Sequence, residues 1–221
     1  QFGFGQATGL DLPEASSGLL PTPEWKRAAR NEPWYPGDSV NLGIGQGDLL
    51  VTPLQLAVAT AVIAARGRRP LPRMLLDADG DLEELEPSDL PPIRLADPAD
   101  WQRMAEAMAD VVHRGNQGHG QNGTAWAYIG MDIPYRMAGK SGTAQVIEIP
   151  QGMQHDDLEL TERQQKHAWF VAFAPVEEPE IALAVLVENG GGGSSVAGPV
   201  AREVLDAWLL NRLEGAAVAR N

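Results

Sequence analysis

Ala168-Trp169-Phe170-Val171-Ala172-Phe173-Ala174 is an unbroken apolar run stopped by Pro175. A run this short, apolar at every position and bounded by turn residues, predicts a strand covered on both faces. Ile181 to Val187 is a second run of the same kind. The segment Val176 to Glu180 between them is short enough for a hairpin. Working outward, Arg136 to Ile149 predicts a third strand. Beyond the glycines at 190–193, the residues Val200, Val204, Leu205, Trp208 and Leu209 recur at helical spacing, which predicts a helix over about Val196–Leu210. Strands and helices together read as an α/β or α+β layered domain.

Further upstream the helix starts are marked by their chemistry. Thr22-Pro23-Glu24 puts an N-capping threonine before a proline in the first turn. Thr52-Pro53-Leu54-Gln55 adds a glutamine that can close a capping box, and the helix it opens is expected to end near Gly67. Asp97-Pro98 repeats the device ahead of a stripe of Trp101, Met104, Ala105, Met108, Val111 and Val112, with Gly115 as the stop. Residues 68–96, rich in Pro, Asp and Glu, read as a loop or a small exposed ribbon. The glycines between 115 and 123 read as a turn. Trp25, Trp34 and Tyr35 are expected to pack the first loop against the core. One domain is expected over 1–213, with 214–221 as a frayed tail.

The chain has 221 residues and is 43% apolar, enough to bury a core. Its 30 acidic side chains outnumber 17 basic ones, giving a net charge of −13, which argues against nucleic acid as a partner. Arg66, Arg68 and Arg69 form a short basic cluster placed to cap a helix end. The absence of cysteine removes disulfides, thiolate catalysis and thiolate metal sites. The apolar stretch Leu54–Ala65 falls short of the roughly 20 residues a membrane span requires. His113, His119, His155 and His167 lack metal-ligand spacing, so no metal and no cofactor is expected. Asp156, Asp157, Glu159 and Glu162 read as a solvated acidic loop.

Within the third strand candidate, Gly139-Lys140-Ser141-Gly142-Thr143-Ala144-Gln145 carries the chemistry. A cationic Lys140 beside two hydroxyls suits the anionic end of a ligand. Ser141 and Thr143 can donate to a carboxylate, and such charge-assisted bonds are strong. Gly142, with no side chain, lets a ligand backbone lie close. An edge strand here could accept an extended peptide as an added strand. Strand alternation sets Lys140 on the face opposite Ser141 and Thr143, so one cleft can use all three only if it runs along the strand edge. The Thr143 backbone N–H then becomes a candidate oxyanion donor. A nucleotide-binding P-loop is a poor alternative. It needs a glycine where Pro134 stands and a helix where Ala144-Gln145-Val146-Ile147 continues as strand.

Other blocks surround this motif in order. They are Phe2-Gly3-Phe4-Gly5, Thr8 to Glu14, Gly43-Ile44-Gly45-Gln46-Gly47, Thr52-Pro53-Leu54-Gln55, Asn122-Gly123-Thr124-Ala125, Trp169 to Pro175 and Val187-Glu188-Asn189-Gly190. With Lys140-Ser141-Gly142-Thr143, a variant of the Lys-Thr-Gly signature, they resemble the C-terminal part of a class B penicillin-binding protein, nearest the elongation-specific branch. The resemblance runs from the start of the chain to about Leu210. It implies a penicillin-binding, serine β-lactamase-like fold with an antiparallel sheet flanked by helices.

The resemblance implies serine acyl transfer that cross-links peptidoglycan stem peptides and is blocked by β-lactams. Lys140 and the Thr143 N–H would be catalytic. Ser141, Gly142, Thr143 and Gln145 would bind substrate. By position in the sequence alone, the histidines read as loop or packing residues, with His167 ahead of the Trp169 strand and Asn122-Gly123-Thr124 as candidates to approach the cleft mouth. The family's Ser-x-x-Lys and Ser-x-Asn motifs are not placed in this chain by the resemblance. Ser194 and Ser195 do not replace them, since no lysine follows three residues on. A split domain is therefore expected, with the nucleophile on an N-terminal half that is a partner of this chain. A bacterial inner-membrane protein with a periplasmic catalytic domain is implied, partnered by a membrane glycosyltransferase of the elongation machinery. Two rival readings are a β-lactam sensor of the same fold that is acylated without turnover, and a structural fragment that stabilises another half.

Overall fold

The computed structural model describes residues 2–11, 13, 16–74, 90–118, 120–144 and 161–218, with the side chains of 162 and 211–218 left aside. Its centre is a three-stranded antiparallel sheet of β1 (Ala138–Ala144), β2 (His167–Ala174) and β3 (Ile181–Val187), in that spatial order. Ala138 pairs with Phe173 and Ala144 with His167, while Ala168 pairs with Val187 on the other side. The expected hairpin is present. β1 starts two residues later than the sequence pattern predicted, because its partner strand stops at Ala174 before Pro175 and the Met137 N–H is taken by the His113 ring. Residues 145–160, including Gln145, His155, Asp156, Asp157 and Glu159, lie outside the described residues, as do 75–89 and His119.

Alternation along β2 builds two cores. Ala168, Phe170, Ala172 and Ala174 face helix α5 (Gly198–Val218) and join Ala197, Ala201, Leu205 and Leu209 in one cluster. Phe173 faces the other way. It meets Ala138 of β1, Ala64 of α3 (Pro53–Ala64) and Ala105, Met108 and Ala109 of α4 (Asp100–His113). Alanine on both sheet and helix lets α5 lie close to the strands. The large volume comes from Phe170 and Phe173, both fully buried, each contributing roughly 2–3 kcal/mol of transfer energy. Helix α5 runs past the Leu210 where its apolar pattern fades.

The helix starts read from sequence are realised. The Thr52 hydroxyl accepts from Gln55 N–H and the Gln55 side chain accepts from Thr52 N–H, both at 3.1 Å. Gln55 is fully buried, and its amide also donates to the carbonyls of Gln6 at 2.8 Å and Ser17 at 2.7 Å. Arg66 donates to the Ile63 and Ala64 carbonyls at the end of α3, as its cluster suggested. At α4 the helix begins at Asp100, because Asp97 closes a turn by accepting Ala99 N–H first. Met104 is half-exposed, and Ala109 takes its place in the buried stripe. Gly115 does not act as a left-handed stop. Arg114 ends α4 by going extended, and Gly115 is needed because the Trp126 indole occupies the space of a side chain there.

Trp25 and Tyr35 do not pack into the core. Helices α1 (Pro23–Arg30) and α2 (Pro36–Gly43) form their own layer, where Lys26 bonds Asp38 at 2.7 Å and lies 4.7 Å from the centre of the Tyr35 ring. The Asp38 bond raises the Lys26 pKa, and the Lys26 bond lowers that of Asp38. Arg30, paired with Asp48, stacks on Trp25 instead. Tyr35 stays 52% exposed, and each ring has a charged side chain against one face in place of a core contact. No helix among the described residues is long and apolar enough to cross a membrane.

Candidate active site

β1 carries the site because its two flanks differ. On one flank it pairs with β2; on the other no strand is paired among the described residues. The Gly142 peptide nitrogen and the Trp169 carbonyl oxygen crowd the same point above the sheet, and Gly142 is paired with Trp169. Gly142 therefore turns its hydrogen-bonding groups toward β2. By alternation, Ser141 and Thr143 turn theirs to the open edge. Lys140 Nζ donates to the Ser141 carbonyl at 2.5 Å, so the ammonium curls round onto that edge from its own face of the sheet. Lys140 and Thr143 are exposed, and Ser141 and Gly142 are half-buried. The ammonium and two outward N–H groups thus share one edge, with Ser141 and Thr143 on the sheet face beside it, an arrangement that suits an extended chain ending in an anion.

The strand is held from behind. Gly139 is buried with the Phe170 ring where its side chain would be, so β1 lies flat on the core. A single π turn at Gly193–Ala197 leads into α5 and packs on β1 and β2. Its approach is fixed by the loop after β3. Asn189 N–H donates to His167 Nδ1 at 2.9 Å, the Asn189 side chain donates to the carbonyls of Arg163 and Gln165, and Gly191 N–H donates to the Lys166 carbonyl at 2.8 Å. His167 thus sits beside the end of β1 but serves as an anchor for this loop. The glycines at 190–193 form a strand-to-helix connection.

The Asn122-Gly123-Thr124-Ala125 block has a structural use. Gly123 N–H donates to the Arg114 carbonyl at 2.7 Å and Ala125 N–H to the Val111 carbonyl at 3.0 Å, serving carbonyls that a helix end leaves without partners. A side chain at Gly123 would strike the Asp110 and Val111 carbonyls. His113 accepts Met137 N–H at 2.9 Å through Nε2, one residue ahead of β1. Burial, then the nearby Arg136 charge, lowers its pKa. Ser39-Val40-Asn41 has the Ser-x-Asn spelling, which the sequence reading passed over. Its serine hydroxyl accepts Trp34 Nε1–H at 2.9 Å on α2, and the elements packed on β1 are β2, α4 and the π turn. Among the described residues no group of His, Asp and Glu converges as a metal site.

A family profile described as the penicillin binding protein transpeptidase domain matches residues 1–206. The curated peptidoglycan D,D-transpeptidase MrdA of Acinetobacter baumannii is 44% identical over 216 residues, 96% of this chain and 30% of that protein. Among solved structures, Pseudomonas aeruginosa PBP2 in complex with WCK 5153 is 44% identical with a TM-score of 0.76, covering 95% of this chain and 42% of that one. Helicobacter pylori PBP2, solved in complex with MreC, is 32% identical with a TM-score of 0.73, covering 95% and 34%. The chain spans under a third of the length of that curated relative. On the profile match, the identities and the shared fold, this chain belongs to the penicillin-binding protein transpeptidase family.

Proposed function

We propose that residues 1–221 form one wall of a peptidoglycan D,D-transpeptidase active site that serves cell elongation. The observation that carries this reading is the open β1 edge, where Lys140, Ser141 and Thr143 stand together. In this reading a stem peptide lies along β1, with its terminal carboxylate held by the Ser141 and Thr143 hydroxyls. Gln145, next along the chain, is a further candidate contact. A serine outside this chain attacks the penultimate D-Ala carbonyl. The carbonyl oxygen gains negative charge, which the Thr143 N–H stabilises. The carbon–nitrogen bond then breaks, the departing D-Ala amine takes a proton, and an acyl ester remains on the serine. An amine from a second stem peptide attacks the ester, re-forms an amide and frees the serine. Lys140 supplies positive charge and assists proton movement. β-Lactams, which present a carboxylate beside a reactive amide, fit the same wall.

The setting follows from the same reading. The whole protein works on the periplasmic face of the bacterial inner membrane, alongside a membrane glycosyltransferase that makes the glycan strands it cross-links. A 32% identical relative solved within a peptidoglycan synthase complex that coordinates polymerization and crosslinking supports a polymerising partner, and the H. pylori relative was solved in complex with MreC.

The test uses the complete protein that contains this chain. It is incubated with a fluorescent penicillin and cut between its N-terminal part and residue 1, and the pieces are separated under denaturing conditions. Label is expected on the N-terminal piece alone. Label on residues 1–221 would displace the nucleophile into this chain, and no label anywhere would sink the transpeptidase reading. Lys140→Ala is expected to slow acylation by about 100-fold or more, in line with the loss of a group acting in the transition state.

A further inference from the structure

We infer that Gly193 is a positioning residue for the acyl-transfer edge, a role that rests on the function proposed above. The π turn packs on the sheet, and its backbone comes nearest to β1 at Gly193. A methyl group there would stand 2.5 Å from the Trp169 carbonyl oxygen, 2.6 Å from the Gly142 oxygen and 2.9 Å from the Gly142 nitrogen. Carbon atoms do not approach backbone atoms so closely, and none of these three atoms can rotate aside. Gly193 is not among the glycines with positive φ, so its backbone would accept alanine. The requirement is for contact. The turn is seated directly on the Gly142 peptide, across its pairing with β2.

The consequence runs through the chain geometry. Gly142 is held between the turn and β2, and the next residue outward is Thr143, whose N–H faces the open edge. A catalytic donor must sit within tenths of an ångström of its place, and a 1 Å error costs on the order of 100-fold in rate. The seat is fixed at both ends. Upstream, Asn189 and Gly191 are bonded to His167 and Lys166. Downstream, Ala197 and Ala201 are buried under the sheet. A side chain at 193 must therefore displace β1 relative to α5.

Gly192 provides the matched control. Its φ of −90° also accepts alanine, and a methyl there would meet the Ser195 hydroxyl, which can rotate away. Both variants remove one glycine from the same loop.

The experiment measures acylation of the full-length protein by a chromogenic cephalosporin over a range of concentrations. This separates the rate constant at saturation from the half-saturating concentration. For Gly193→Ala the rate constant is expected to fall about 100-fold, with half-saturation shifted far less. Gly192→Ala is expected to match wild type. A smaller folded fraction would lower the labelled plateau and leave the rate constant alone, so rates are read from time courses. Wild-type rate constants in Gly193→Ala, or equal losses in both variants, would overturn the inference.

Should Gly193→Ala fail to fold, amide exchange on the unmodified protein decides. Gly142 N–H should exchange as slowly as Ala172 N–H and far more slowly than Ser141 and Thr143. Exchange of Gly142 at the rate of its two neighbours would refute the seat. No acylation of wild type would instead overturn the function proposed above, and this role with it.

Discussion

His113 borders the candidate site and acts through a hydrogen bond that only its neutral ring can make. Its Nε2 accepts Met137 N–H, which requires the neutral ring, and burial lowers its pKa. A depressed pKa means that the unfolded state binds the proton more readily. The stability this residue contributes is complete above the unfolded histidine value of about 6.5 and is lost as pH falls from there toward the folded value. Thermal melts of the full-length protein should therefore fall between pH 7 and pH 5. His113→Gln, whose side-chain oxygen can accept the same N–H without titrating, should melt with a shallower slope over that window. Parallel slopes would assign the pH dependence to other groups. The Lys26–Asp38 pair works in a different window, because a lowered carboxylate pKa gives stability that is lost only below the ordinary Asp range.

Helix α3 shows what an element can gain from one buried polar group. Gln55 closes the Thr52 cap and also holds the segment before α1 through the Gln6 and Ser17 carbonyls. Gln55→Leu would leave buried acceptors without donors, each costing on the order of 1–3 kcal/mol, so a loss of about 3 kcal/mol is expected in urea unfolding. A loss under about 1 kcal/mol would show that water replaces the amide. The capping box was legible in Thr52-Pro53-Leu54-Gln55 because its bonds are local. The second use of Gln55 was not, because its acceptors lie 38 to 49 residues away. The same divide separates the strands from the turn. Continuous apolar runs gave β2 and β3, whereas Gly193 looked like any loop glycine until the sheet was seen beneath it. The start of α4 shifted for a local reason, the competing Asp97 turn, and the use of the Asn122 block at the end of α4 was not legible because its partners are carbonyls, which carry no sequence signature. Within the site, residue identity announced Lys140, Ser141 and Thr143. Only strand pairing could assign the edge each one faces.

At the scale of the molecule, the acidic surface and the site have opposite character. A chain of net charge −13 presents Lys140 exposed on its edge strand. In the function proposed above, an anionic stem-peptide end would meet Lys140 while the long-range field offers it no attraction. Recognition would then come from short-range contact along β1, and added salt, which screens that field, should not weaken substrate affinity.

The open edge of β1 has a further consequence, for how the protein behaves in the tube. A strand flank kept free for a peptide is also a template for the same strand of a neighbouring molecule. Soluble proteins blunt such flanks with a charge, and lysine is the common choice. Lys140 would then be a gatekeeper against self-association as well as a part of the site. Light scattering of concentrated Lys140→Ala should show larger species than wild type, and more so at high salt. Equal molar masses for the two proteins would leave the lysine its chemical role alone.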